Sequence, residues 1–270
     1  MSIDLWEHIN YKTPAKYFVN TYIREYDLSK ANINALLYCG RISKKEYDNY
    51  TSCDKRTREV QIGLLIKHDK SIYRDIQNGI IEAKKKLILS NDLDESRIVS
   101  IKNDAVFVNG GILKYREFSP FIFTIKNTYT IFLSLQNLEV YYSDNLNQST
   151  GQIDTNIDIK GIPDKTLIFH SDGMLDLICD LCYRLQRERI EETMKWICCV
   201  YESFIRRQLP KQYYRNFDSF SQYIINTYVH YVSMDDINDD MIDAVDINRN
   251  LSLLRDMISI VSSIYRVQCK

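Results

Sequence analysis

Apolar residues recur along this chain with two different periods, and the switch between them divides it. Residues 1–20 follow neither period and read as a short helical or irregular lead-in. Thr21–Leu28 (TYIREYDL) is rich in β-branched and aromatic residues and predicts a strand. Ser29 stands where it can cap a helix over Lys30–Cys39, which Gly40 stops. Ser43 and Glu46 form a capping box, each satisfying a backbone N–H at the start of a second short helix. Asp54–Lys67 predicts a third helix with Val60, Leu64 and Ile66 as its apolar face. Ile72, Ile76, Ile80, Ala83 and Leu87 keep the helical period through Ser71–Leu89.

From Arg97 to Tyr142 the texture becomes a series of short β-rich runs: RIVSI, AVFV, ILKYREF, FIFTI, YTIFLSL and LEVYY. Turn residues separate them at Lys102-Asn103-Asp104, Asn109-Gly110-Gly111, Ser119-Pro120, Lys126-Asn127 and Gln136-Asn137. Asn-Gly-Gly is a strong hairpin signal because left-handed backbone is accessible there. An antiparallel meander is the simplest arrangement. Ser143–Pro163 is polar, and Leu175, Ile178, Leu181, Cys182, Leu185, Ile190, Met194, Ile197, Tyr201 and Ile205 then trace a helical stripe ended by Pro210. Further helices are expected over about Phe217–Val232 and Ile247–Val267. The expected fold is α+β: a small antiparallel sheet with flanking helices, followed by a helical C-terminal half. The expected segments are 1–145 (α+β), 146–170 (linker or long loop) and 171–270 (helical).

Composition narrows the function classes. The chain has 270 residues, 45% apolar and 26% charged, as in ordinary globular proteins. No apolar run approaches the length of a spanning helix, and no export signal is visible, so a cytoplasmic setting without membrane association is expected. Seven cysteines, an odd number, read as reduced thiols. Eight glycines include no G-x-G and no Walker-type loop. Net charge is −1, but 21 basic residues face 16 acidic ones up to Thr130, against 14 and 20 beyond it. A polyanion would therefore meet the N-terminal half.

Two acids carry the candidate chemistry. Asp27 closes a strand just before a helix, and Asp104 sits in a tight turn between two strands. If those strands are neighbours, the carboxylates converge, and divalent cations relieve their repulsion. The alternative is an ordinary hairpin for which Asn103-Asp104 simply makes a good turn. Lys55, Arg56 and Arg58 cluster in the first turns of their helix, where the dipole prefers acids. They read either as an anion site or as a solvated surface.

At these residues the sequence resembles the template-directed DNA polymerases of the A and B types, in partial motifs across residues 21–142. YDLSKANINALL looks like the palm's strand–Asp–helix motif. KRTREVQIG resembles the finger helix, with Arg56, Arg58 and Gly63 in suitable places. SIKNDAVFV resembles the hairpin motif, with Asp104 at its metal-binding Asp. IKNTYTIF is similar to the short element that touches the primer end, through Lys126 and Tyr129. The resemblance implies a palm-like module with Asp27 and Asp104 as catalytic Mg²⁺ ligands of a nucleotidyltransferase. It also implies nucleic-acid or phosphate contacts from Lys55, Arg56, Arg58, Lys67, Lys126 and Tyr129. The sequence departs from the pattern at Lys102, where type B palms carry a further Asp, and at Ala31-Asn32. These departures leave activity open between a working and an inactive palm. The alternatives are a nucleic-acid-binding accessory factor, or a non-catalytic interaction protein that meets a host or viral protein through its helical C-terminal half. Heavy use of Ile, Asn, Lys, Tyr and Asp suggests an AT-rich viral or phage genome, and hence the cytoplasm of an infected host cell.

Other constellations are weaker. Cys179, Cys182, Cys198 and Cys199 lie on or beside the apolar stripe, so core cysteines are expected and zinc is not. His170 and Asp172 read as an acid–base pair or as a surface His beside a helix cap. Asp235–Asp246 lacks the Gly and Glu of a calcium loop. Tyr interleaved with Lys and Arg in the N-terminal half reads as base-stacking surface or as ordinary strand tyrosine.

Overall fold

A computed structural model describes residues 4–8, 10–146, 153–161, 173–214 and 244–268. The fold is α+β, and the chain divides into two compact units, 1–14 with 22–128 and 15–21 with 129–270. The expected helix 217–232, His170, Asp172 and most of the acidic patch lie outside the described residues.

The first unit is built on antiparallel strands. These are β1 (Asn10–Lys12), β2 (Tyr17–Leu28), β3 (Ile98–Lys102), β4 (Ala105–Asn109), β5 (Glu117–Phe118) and β6 (Phe121–Leu135). The strand order is β1-β3-β4-β2-β6, with β5 paired to β6. It is a meander only in part: β3–β4 and β5–β6 are neighbours in both sequence and sheet, but β2 lies between β4 and β6. The β3–β4 connection is the two-residue turn Asn103-Asp104, with Asn103 in the left-handed region at φ 51°. The Asn109-Gly110-Gly111 segment makes no hairpin; Gly110 leaves the sheet, and its N–H donates to the Tyr22 carbonyl at 2.8 Å. Of the run ILKYREF only Glu117–Phe118 is strand.

The helices of this unit are α1 (Ala31–Tyr38), α2 (Lys44–Ser52), α3 (Lys55–His68) and α4 (Ser71–Ser90). The Ser43–Glu46 capping box is present in full. Ser29 does not cap α1; Lys30 takes that place with a left-handed backbone and no side-chain bond. Tyr26 and Leu28 of β2, Ile98 and Ile101 of β3, and Val106 and Val108 of β4 pack with Ile33, Leu36, Ile76, Ile80, Ala83 and Leu87 of the helices. The alternating residues Ile23, Glu25 and Asp27 therefore lie on the opposite face of the sheet from this core.

The second unit takes residues 15–21, of which 17–21 belong to β2, and residues 129–135 of β6, and adds β7 (Leu138–Leu146) and β8 (Ile153–Lys160). Its helices are α5 (Gly173–Arg187), α6 (Ile190–Ile205) and α7 (Ala244–Gln268). Gln136, at φ 53°, closes the expected β6–β7 turn. Lys126-Asn127, read as a turn, lies inside the continuous strand β6, which pairs with β5 at its start and with β7 at its end. Residues 153–160, placed in the 146–170 linker by their polarity, form β8 along β7. Ile131, Leu133, Leu138 and Val140 from the strands meet Met174, Ile178, Ile197, Leu254 and Val261 from the helices in a core of this unit's own.

Candidate functional site

Strand pairing in the first unit brings the two candidate acids together. Asp27, second from the end of β2, lies opposite Ala105, the first residue of β4. Asp104 is the residue before it, in the β3–β4 turn. The N–H of Leu28 donates to the Asp104 carbonyl at 3.2 Å. Consecutive residues of one strand thus grip consecutive residues of the other, and both carboxyl groups are half-buried.

Their electrostatics record the proximity. Burial raises the Asp27 pKa above the usual carboxylate value, and the Asp104 carboxylate raises it further; Lys126 pulls it down, Glu25 pushes it up and Lys55 again lowers it. Asp104 is also raised, chiefly by burial, while its own backbone N–H and then Lys126, Lys55 and Lys84 act downward. Three ammonium groups from β6, α3 and α4 thus act on the hairpin acid, and two of them on its neighbour.

Each cation arrives differently. Lys126 is 57% exposed and stands 3.5 Å from Glu25, which is almost fully buried. Asn127 also donates to Glu25, at 2.6 Å. The N–H of Ser29 donates to the Ile122 carbonyl at 2.9 Å. These contacts run in opposite senses along β2 and β6, so the pair is antiparallel and exposed Thr124 lies level with Asp27. A row Lys102, Ala105, Asp27, Thr124 therefore crosses four strands on one face. Lys55 is exposed at the first position of α3, with Asp54 capping the helix behind it. Lys84 is 1% exposed in the middle of α4. Its ammonium donates to the His8 carbonyl at 2.6 Å. Burial lowers its pKa to about 8, with Asp104 acting in the other direction.

Other expected residues sit elsewhere. Arg56 is exposed beside Lys55. Arg58 is buried and donates to the Cys53 carbonyl at 3.4 Å, so it presents no cation to a phosphate. Helix α3 turns Arg58 and Ile62 inward; of the expected apolar face Val60 and Leu64 are exposed, while Ile66 packs partly buried against the core. Lys67 is exposed about 18 Å along the helix axis from Lys55. Tyr129 is fully buried in the second unit, its hydroxyl donating to Asp158 at 3.4 Å, so it offers no surface to a primer end. Sequence reasoning missed Lys84, Glu25 and Thr124. Lys84 did carry a signal, since it stands four residues after Ile80 and four before Ile88, on the apolar stripe of α4.

The profile of the Bacteriophage PBS1 gene 130 protein family matches residues 1–263. The chain belongs to that family. No curated protein matches it. Membership in the gene 130 family agrees with the phage origin suggested by composition. Among the described residues, no helix of this gene 130 family chain is long and apolar enough to cross a membrane.

The donor set bears on Mg²⁺. Among the described residues, no three His, Cys, Asp or Glu side chains form a metal cage. A carboxylate pair still suits Mg²⁺, which keeps several waters and takes one or two carboxylates plus substrate phosphates. Burial leads the rise at both acids, and the Asp104 carboxylate adds to it at Asp27, where a hard cation would offset the negative charge. Cys182 is buried in the core and its thiol is pushed well above the ordinary value, and Cys179 is pushed up to about 11, burial leading in both. Cys198 and Cys199 are exposed, not in the core as expected, because α6 buries Ile190, Thr193, Ile197 and Phe204 instead.

Proposed function

We propose that this chain is a reduced, polymerase-palm-like module that binds nucleic acid and a Mg²⁺–nucleotide at the Asp27–Asp104 pair, for nucleotidyl transfer. The observation that carries the reading is the register that sets Asp27 beside the β3–β4 turn, so that two distant carboxylates share one half-buried place. The order strand–Asp–helix, basic helix, hairpin Asp in the sequence, carried here by β2, α1, α3 and the β3–β4 hairpin, supports the reading.

The chain's own residues divide the work. Asp27 and Asp104 would hold Mg²⁺. When bound, the ion supplies charge neutralisation for the phosphates and lowers the cost of forming an attacking oxyanion. Lys55 and Lys126, exposed beside the acids, would meet phosphate oxygens. Lys84, buried behind the turn, holds a positive charge near Asp104 and favours its ionised form. Thr124 presents a hydroxyl level with Asp27, where a ligand would lie.

The test is Mg²⁺-dependent nucleotide incorporation on a primed template, read for the native chain, Asp27→Asn and Asp104→Asn. Incorporation that falls at least about a hundredfold in each variant supports the proposal. Retained incorporation in either variant removes the carboxylate pair from the chemistry. No incorporation by the native chain, with primer–template binding unchanged in both variants, leaves a nucleic-acid-binding protein without transfer activity.

A further inference from the structure

A second surface lies at the other end of β2 and β4. Tyr22 is five residues before Asp27 and Asn109 five after Asp104, about 17 Å along each strand. There the chain leaves β4 through residues 110–116, which are irregular yet held at several points. The Gly110 N–H donates to the Tyr22 carbonyl at 2.8 Å. Leu113 is buried, and its N–H donates to the Tyr26 hydroxyl at 2.8 Å. Asn91 clasps Tyr115 from both sides, receiving its N–H at 3.0 Å and donating to its carbonyl at 2.7 Å. The N–H of Phe123 donates to the Arg116 carbonyl at 2.8 Å. Backbone anchored this way resembles a formed element more than a slack loop.

What this loop presents outward is not what an inert surface needs. Ile112 is 63% exposed, Tyr115 48% and Tyr22 60%. Cations accompany the rings: Lys114 stands over Tyr115 at 4.9 Å and Arg24 over Tyr22 at 5.2 Å. Arg24 donates to the Gly110 carbonyl and Arg97 to the Asn109 carbonyl, so two guanidinium groups converge on adjacent residues. Arg97, Ile112, Lys114, Tyr115 and Asn91 border a cavity of about 300 Å³, with the Asp92 carboxylate also in its lining. That is the lower end of the range for small-ligand pockets and enough for one base with its sugar. The sequence of this unit carries 20 basic and 16 acidic residues, so the wider field also favours an anion.

We propose that this surface binds single-stranded nucleic acid, with a base stacked on Tyr115 in the cavity and the flanking phosphates on Arg97 and Lys114. Aromatic faces beside fixed cations suit a strand whose bases are unpaired, because every base offers a π-face and every step a phosphate. Duplex would not fit the same way, since its bases are not free to enter a cavity. The surface stands apart from the carboxylate pair and does not depend on its chemistry.

The experiment is fluorescence anisotropy of labelled oligothymidylate and oligouridylate, each of about a dozen nucleotides, with EDTA present so that divalent cations play no part. The native chain is expected to bind at least one of the two at low salt, and the pair of probes separates DNA from RNA preference. Tyr115→Ala should weaken binding about tenfold, with Tyr115→Phe close to native. Lys114→Glu should weaken it and reduce the salt dependence by roughly one phosphate contact. Val60→Ser, on the exposed face of α3, should bind as the native chain does, and circular dichroism confirms that each variant is folded. Absence of binding to both oligonucleotides by the native chain, or native-like binding by Tyr115→Ala and Lys114→Glu, overturns the proposal. Failure of nucleotide incorporation leaves it untouched.

Discussion

Two residues of the first unit carry charge at a cost to the fold, and both costs can be measured. Asp27 has a raised pKa, led by burial and then by Asp104. A carboxyl group raised on folding stabilises the fold in its neutral form, fully below its unfolded pKa, and loses that contribution as pH rises through the folded value. Asp27→Asn should therefore be more stable than the native chain near pH 7. The difference should shrink as pH falls toward the unfolded value near 4, which urea titrations across that range will read. Added Mg²⁺ should stabilise the native chain and not the variant. Lys84 shows the opposite sign. Its folded pKa is lowered to about 8 from 10.5, so the unfolded chain holds the extra proton between those values and stability rises with pH across that window. Lys84→Met should lack this rise. Subtracting its unfolding free energies from the native ones isolates the effect from tyrosines and cysteines that titrate nearby. Asp27 and Asp104 were legible in the sequence because a strand end and a tight turn each leave a local mark. Lys84 was hidden by Lys85 and Lys86, since a run of three lysines reads as a solvated face even where the helical period turns one of them inward.

Helices and strands were legible where one face alone decided them. Helix α4 keeps its period over four buried positions, and the α2 capping box is a local chemical signature that needs no tertiary partner. Helix α3 misled because apolar and charged side chains occur all round it, and only its packing shows that Arg58 and Ile62 face inward. The polar strand β8 was invisible because its partner β7, not its own side chains, specifies it. Contact between α1 and α4 supplies a test at this scale. A Cβ placed on Gly79 would stand 2.6 Å from the Ala35 Cβ and 2.8 Å from its Cα. Helix propensity alone makes Gly79→Ala stabilising by up to about 1 kcal/mol. The close approach reverses the sign, because backbone on the other helix must move: a loss of about 1–3 kcal/mol is expected by chemical denaturation. Gly63→Ala is the control. It lies in α3 with nothing within 4 Å of the added methyl, so it should show the propensity gain without the clash.

At the level of the whole molecule, hydrophobic pattern tells which residues are buried but not which others they meet. That is why the polar stretch after Tyr142 looked like a boundary, while the chain instead divides within β2 and β6. Buried apolar residues of the first unit, Leu5 to Phe123, and those of the second, Ile131 to Ile264, form separate clusters with no member in common. The candidate acids, their lysines and the Tyr115 surface all belong to the first. Leu254, fully buried on α7, belongs to the second. Leu254→Asp buries an unpaired charge there, at a cost of several kcal/mol. Hydrogen exchange read by mass spectrometry should then show lost protection across β7, α5, α6 and α7. Amides of β3, β4 and α4 should remain protected, because Ile98, Val106, Val108, Ile80 and Leu87 on those elements belong to the other cluster. Equal loss of protection in both sets would mean that the long strands transmit unfolding as strongly as a shared core does, and that the site cannot outlast the helices encoded after it.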